Sequence, residues 1–134
     1  MSRRIEFTVP GHMLAFKRTG GGKSVGRFTP PEQANYMGAV RTICAAAMKG
    51  QPPMDGPISV IMEVAYLYPA SWSAQKKSET FFKTSAPDID NLAKLLKDAL
   101  NKIAYRDDAQ ISVLNAIKRY DATAFLHVTI EELR

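Results

Sequence analysis

The chain has 134 residues, of which 46% are hydrophobic and 23% are charged, and its formal net charge is +5. This size and composition predict one globular domain over residues 1–134 and exclude a disordered or low-complexity chain. One cysteine excludes an internal disulfide and the usual cysteine-based zinc sites, and every apolar run is far shorter than the ~18 residues of a membrane span.

The first residues predict a strand followed by a basic loop. "RRIEFTVP" alternates Ile5, Phe7 and Val9 with polar residues and ends at Pro10. Because no apolar run precedes a cleavage site, we expect no signal peptide and a cytoplasmic protein. The loop contains "GGGKS", but the position five places earlier, where a phosphate-binding loop needs glycine, is Lys17. We therefore expect no nucleotide cofactor.

The positive charge is concentrated in this part of the chain. Residues 1–50 contain eight basic residues against two acidic ones, whereas the rest contains ten basic and eleven acidic residues. A localised basic segment indicates a polyanionic partner such as DNA, although a merely basic, soluble surface is the simpler alternative. The residues predicted to contact a DNA backbone are Lys17, Arg18, Lys23 and Arg27.

The middle of the chain predicts a helix and then a central strand. "TPPEQANYMGAVRTICAAAMKG" has Thr29 and two prolines at its start and Gly50 at its end, which is typical of a helix. Cys44, within it, is interpreted as a small buried hydrophobe. "ISVIMEVAYLYP" is largely apolar, as expected of a central strand, and one face carries Ile58, Val60, Met62, Val64 and Tyr66.

The remaining residues predict a second main helix and two strands. One helical turn is expected at 73–77, and "AQISVLNAIKRY" and "TAFLHVTIEEL", separated by "DA", predict a final hairpin. The order β-α-β-α-β-β indicates an α+β domain with a four-stranded mixed sheet and two main helices. Between the turn and the hairpin, "SAPDIDNLAKLLKDAL" predicts a helix with a buried stripe of Leu92, Leu95, Leu96, Ala99, Leu100 and Ile103.

Two aspartates stand where this helix begins. An aspartate there is an ordinary N-cap or first-turn residue, which accounts for one of the two. Because Pro87 favours an extended residue before it, we expect Asp88 to project from the approach segment and Asp90 to lie at the helix start, with converging carboxylates. "YRDDAQISV" adds Asp107 and Asp108, where an acidic pair is also common in a turn. The spacing does not decide whether this second pair reaches the helix start.

Carboxylates that gather at one point need a cation, because without one they repel each other and one takes up a proton. Oxygen ligands with little His or Cys favour Mg²⁺, with Mn²⁺ as a substitute. Nucleases and polymerases complete such sites with a substrate phosphate. Lys94, one turn after Asp90, is either part of a surface ion pair or a stabiliser of charge on that phosphate. Asn91 is expected to hold a carboxylate or the backbone in place.

"PDIDNLAKLLKDALN" followed by "YRDDAQI" closely resembles the signature of the RusA family of Holliday junction resolvases. The family pattern is D-x-D-N-x-x-K, a helix, and an aromatic residue shortly before D-D-x-x-I or V. The turn before the acidic pair is about one residue tighter here, and "AY" replaces the usual Gly-aromatic pair. The matching residues are Asp88, Asp90, Asn91, Lys94, Tyr105, Asp107, Asp108, Gln110 and Ile111.

The resemblance implies a homodimeric, Mg²⁺-dependent endonuclease that binds four-way DNA junctions and nicks two strands symmetrically, in a family often carried by phages or prophages. It implies Asp88, Asp90 and Asp108 as metal ligands and Lys94 as the catalytic lysine, with Asp107 as an accessory residue.

Two other functions remain open on the residues alone. A non-catalytic DNA-binding dimer would use the same basic loop, with the aspartates as caps. A nucleotide-handling metalloenzyme would use the acidic cluster without DNA. Within the nuclease hypothesis, the substrate is a Holliday junction or another branched DNA such as a fork or a flap.

Overall fold

The computed structural model of the protein describes residues 2–15 and 31–133. Within these ranges, no helix combines the length and apolar character that crossing a membrane requires. The strands are β1 (Arg4–Pro10), β2 (Ile58–Leu67), β3 (Ile111–Asp121) and β4 (Phe125–Glu132). The helices are α1 (Pro31–Met48), α2 (Ala74–Glu79) and α3 (Ile89–Leu100), with a short 3-10 turn at Asp108–Gln110.

The four strands form one mixed sheet in the order β1-β4-β2-β3. β2 pairs in parallel with β3 and antiparallel with β4, and β4 also pairs antiparallel with β1. The predicted α+β class, the mixed sheet and the order of the main elements are confirmed, and β2 is a central strand as predicted. The helical turn expected at 73–77 is the short helix α2.

The predicted final hairpin is wrong, because β3 and β4 are not neighbours in the sheet. β2 lies between them, so that Ala65 pairs with Arg119 of β3 on one side and with Phe125 of β4 on the other. The connection 122–124 therefore crosses the end of β2. It spans two strand spacings, about 9.6 Å, which three residues reach at about 3.3 Å each.

The core lies between the two long helices and one face of the sheet. The predicted row on β2 is buried throughout, and the opposite face of that strand leaves Ile61 and Leu67 exposed. α1 buries Val40, Cys44 and Met48. The predicted stripe of α3 is buried except for Ile103, which follows the helix and is half-buried. The stripe leaves the other side of α3 exposed, and this side carries the candidate site.

Cys44 is fully buried in this core, as predicted. Burial raises the pKa of its thiol to about 12. Because the thiolate is the reactive form, a fraction on the order of 10⁻⁴ is available at pH 8. We expect a thiol-reactive dye to leave the folded protein unlabelled at pH 8 and to label it once in guanidinium chloride, as measured by mass spectrometry. Rapid labelling of the folded protein would contradict the packing of α1 on the sheet.

Candidate active site

Asp88 and Asp90 take the backbone positions at the start of α3 that the sequence predicts. Asp88 is the N-cap residue, with extended backbone angles (φ −68°, ψ 141°), and Asp90 lies in the first helical turn. The Asp88 side chain forms no capping hydrogen bond; its backbone carbonyl instead accepts from the N–H groups of Asn91 and Leu92 at 3.1 and 3.2 Å. Helix capping therefore does not account for the Asp88 carboxylate, which is exposed.

The carboxylate of Asp90 is also exposed and is oriented by the backbone. Its Oδ1 atom accepts the N–H of Asn91 at 3.0 Å. This contact uses the main chain of Asn91, so the expected role of the Asn91 side chain stays a prediction. Lys94 follows one turn later and is exposed like Asp90, so the two side chains occupy the exposed side of α3.

The two carboxylates line one open groove of about 510 Å³. Two lysines, Lys83 and Lys118, line the same groove, together with the apolar side chains of Phe82, Ile89, Ala116 and Ile117. The groove therefore brings two negative and two positive groups beside an apolar wall. Such a mixture suits a ligand that combines a cation with a phosphate.

Lys118 fixes the segment that leads into α3. Its ammonium, which extends from β3, donates to the carbonyl of Ser85 at 2.6 Å and to that of Pro87 at 2.7 Å. Lys83 adds a hydrogen bond from its ammonium to Ser85 Oγ at 2.7 Å, and its backbone N–H donates to the Lys118 carbonyl at 3.0 Å. The approach to Asp88 is therefore tied to the end of β3. Sequence reasoning missed this role, because a lysine in an alternating strand carries no signal of which backbone it reaches.

The side chain of Asp107 caps the short 3-10 turn that follows it. Its side chain accepts the N–H of Ala109 at 2.9 Å, while Gln110 Oε1 accepts the N–H of Asp107 at 3.0 Å, which forms a capping box on the 3-10 turn. The amide nitrogen of Gln110 also donates to the carbonyls of Met54 and Gly56, both at 2.9 Å. The turn is thereby attached to the segment before β2, and Asp107 is a structural residue.

Asp108 differs from its neighbour. Within residues 2–15 and 31–133 its carboxylate accepts no hydrogen bond, and the side chain is half-buried. The fully buried Tyr105 lies close by: burial raises the pKa of its hydroxyl far above the usual range, and the negative charge of Asp108 raises it further. That hydroxyl donates to the Lys97 carbonyl at 2.8 Å. Asp108 therefore lies beside the C-terminal half of α3.

The expected meeting of Asp88, Asp90 and Asp108 does not occur within one chain. The groove lies at Ala116–Lys118, whereas Asp108 precedes the first residue of β3. The six residue steps from 111 to 117 along the strand span about 20 Å. Among the described residues, no three His, Cys, Asp or Glu side chains are grouped to hold a metal ion. Positions 1, 16–30 and 134 contain none of these residue types.

The connection between two parallel strands explains this separation. α3 carries the chain from the end of β2 back to the start of β3, so the start of α3 and the start of β3 lie at opposite ends of the sheet. The predicted DNA contacts Lys17, Arg18, Lys23 and Arg27 lie outside the residues that the structure describes.

β3 is an edge strand with an exposed apolar surface. Its last part is covered, because the backbone of 81–83 pairs with residues 118–120. Among the described residues, no other backbone pairs with its outer edge over 111–117. Here Val113, Leu114 and Ile117 are 42%, 41% and 39% exposed. An unpaired apolar strand edge is a ready surface for pairing with another chain.

The sequence is similar to a known protein family and to individual bacterial and phage proteins. The family model described as "Endodeoxyribonuclease RusA" matches residues 8–131, which include every acidic residue of the site. The chain is 32% identical over 137 residues to the uncharacterized protein YqaN of Bacillus subtilis (strain 168), and the match covers 96% of each chain. It is 35% identical over 92 residues to the crossover junction endodeoxyribonuclease rusA of Lactococcus phage r1t, covering 66% of this chain and 68% of that protein.

Proposed function

The chain belongs to the RusA family of endodeoxyribonucleases, and on that premise we propose that it is a Mg²⁺-dependent, structure-selective endodeoxyribonuclease. It acts in the cytoplasm as a homodimer that resolves Holliday junctions by paired symmetric hydrolysis during DNA recombination and repair. The phage relative is named a crossover junction endodeoxyribonuclease, which supports this substrate. The observation that carries the proposal is a pair of exposed carboxylates, Asp88 and Asp90, that share one groove at the start of α3.

The donor set of the groove fits a magnesium ion. Mg²⁺ is commonly held by one or two carboxylates, with waters and substrate phosphate oxygens completing its octahedron. Asp88 and Asp90 would be the protein ligands, and Mn²⁺ would suit the same oxygens. When bound, such an ion activates a water molecule and neutralises charge on the phosphate.

The protein side chains orient the reaction around that ion. Asn91 fixes the Asp90 carboxylate through its backbone N–H, and Lys118 holds the approach to Asp88. Lys94, on the exposed side of α3, stabilises the negative charge that develops on the phosphate as water attacks. Asp107 acts as an accessory residue that shapes the turn before Asp108.

The third carboxylate of the site is Asp108 of the partner subunit. A two-fold axis through the middle of the free edge of β3, at Leu114, sets this strand antiparallel to its copy and pairs Ile111 with Ile117 of the partner subunit. Because Ile117 lines the groove and Asp108 lies just before Ile111, the same contact brings Asp108 of the partner subunit toward Asp88 and Asp90. The exposed apolar residues of this edge support the contact.

A labelled four-way junction tests the proposal directly. With Mg²⁺ the purified protein should cut two opposing strands at symmetric positions, and EDTA should stop the reaction, because the carboxylates then have no ion to hold. Denaturing gels report the nicks, and matched forks, flaps and linear duplex report the branch preference. Junction binding without nicking in either Mg²⁺ or Mn²⁺ would identify a non-catalytic DNA-binding protein instead.

A further inference from the structure

A cluster of aromatic rings lies where β2 and β3 end, next to α2. The Trp72 and Tyr120 ring centroids are 4.8 Å apart, and Tyr68 stacks on Tyr120 at 6.0 Å. Three lysine ammonium groups lie over these rings. Lys76 is 4.9 Å from the centroid of Trp72, Lys77 is 5.8 Å from that of Tyr68, and Lys83 is 5.3 Å from those of both Tyr66 and Tyr120. We call Lys76, Lys77 and Lys83 the lysine shelf.

The lysine shelf is not held by ion pairs among the described residues. Among the described residues, none of its three lysines forms an ion pair, and the hydrogen bond of Lys83 goes to the neutral hydroxyl of Ser85. An aromatic face attracts an ammonium group and restricts its position, but it carries no net charge. The three positive charges are therefore held in place and remain available to an anionic partner.

The lysine shelf is continuous with the groove that holds Asp88 and Asp90. Lys83 belongs to both, since it lines the groove and lies over the aromatic cluster. At the other end, Ser73 accepts the N–H of Lys76 at 3.1 Å and fixes the start of α2. A polyanion bound in the groove therefore lies next to the positive charges of the lysine shelf.

We propose that the lysine shelf binds the phosphate backbone of the DNA arm that leaves the Asp88–Asp90 groove. This inference rests on the proposed function, because it assigns a binding surface to the same DNA substrate. It adds a contact surface to the DNA backbone contacts that the sequence predicts, which are Lys17, Arg18, Lys23 and Arg27. In the simpler alternative, the aliphatic parts of the lysine side chains only cover the aromatic rings. This alternative predicts that these lysines have no effect on DNA affinity.

The salt dependence of DNA binding tests the proposal. Each phosphate contact contributes about 0.9 to the slope of log K against log salt concentration for duplex DNA. A Lys76→Gln/Lys77→Gln variant should therefore lower this slope by about 1.8 and, at 0.1 M salt, lower the affinity by up to about 60-fold. Fluorescence anisotropy with a labelled four-way junction in Ca²⁺, over a series of salt concentrations, gives both numbers. Lys76 and Lys77 should also be protected from acetylation when the junction is bound.

The matched control is Arg4→Gln/Lys49→Gln, which removes the same net charge. Both residues line one cleft on the β1 side, and β1 is the sheet edge opposite β3, so this variant should keep the slope of the unsubstituted protein. Equal slopes for the α2 variant and the unsubstituted protein, or unprotected Lys76 and Lys77, would overturn the inference and leave the nuclease proposal intact. A protein without any junction affinity would overturn both.

Discussion

An Asp90→Asn substitution should abolish cleavage of a four-way junction and leave junction binding intact. Asp90 supplies one of the two carboxylates in the groove, and the neutral amide that replaces it is a poor ligand for a hard divalent ion. We expect a single-turnover rate lower by roughly 10³-fold, since the loss of one charge-stabilising group alone costs about 10²–10³-fold. A gel-shift assay in Ca²⁺ measures binding, and denaturing gels in Mg²⁺ measure cutting.

The fold should tolerate this change. The N–H of Asn91 donates to Asp90 Oδ1 at 3.0 Å, and an asparagine oxygen accepts the same bond. Asp98→Asn provides the matched control, because Asp98 lies on the same helix but outside the groove; it should cut at nearly the unsubstituted rate. Undiminished cutting by the Asp90→Asn protein would remove Asp90 from the site.

Features set by neighbouring residues were predictable from the sequence. The stripe on α3 and the row on β2 follow from side-chain periodicity alone, and both are buried as predicted. The positions of Asp88 and Asp90 follow from Pro87 and from the helix that starts at Ile89 between them, over only four residues. Because geometry over so few residues leaves few alternatives, the positions of these two aspartates could be predicted from the sequence.

Features that depend on strand neighbours were not predictable in the same way. A three-residue connection suits a hairpin, yet 122–124 instead crosses β2. Alternation determines the face of a side chain and leaves strand adjacency open. The same limit applies to Asp108, whose motif position is clear but whose distance from Asp90 depends on where the strand after α3 begins.

Hydrogen bonds from long side chains to a distant backbone were also not predictable from the sequence. Lys118 and Gln110 both look like polar residues of a turn or strand. Lys118 holds the approach to Asp88 across 31 residues of chain, and Gln110 reaches 56 residues back to Met54. Their partners are carbonyl groups, which every residue possesses, so no residue type marks the contact in advance.

A heterodimer of Asp90→Asn and Asp108→Asn subunits should regain nicking that neither homodimer has. If the third carboxylate comes from the partner subunit, one of the two sites combines the intact Asp88 and Asp90 of one subunit with the intact Asp108 of the other, and the second site carries both changes. Co-expression with two different affinity tags and tandem purification isolate this species. It should cut about half as many sites as the unsubstituted dimer and should yield nicked junctions without paired resolution.

The matched control is the heterodimer of Asp88→Asn and Asp90→Asn subunits. Both changes then fall in the groove half of the site, so each site of this heterodimer lacks one groove carboxylate and it should stay inactive. Restored nicking in the control would reveal a contaminating nuclease, because neither of its sites has both groove carboxylates. A silent Asp90→Asn/Asp108→Asn heterodimer would mean that Asp108 does not act across the subunits. Because Asp108 lies about 20 Å along the strand from the groove of its own chain, that result would remove it from the set of metal ligands.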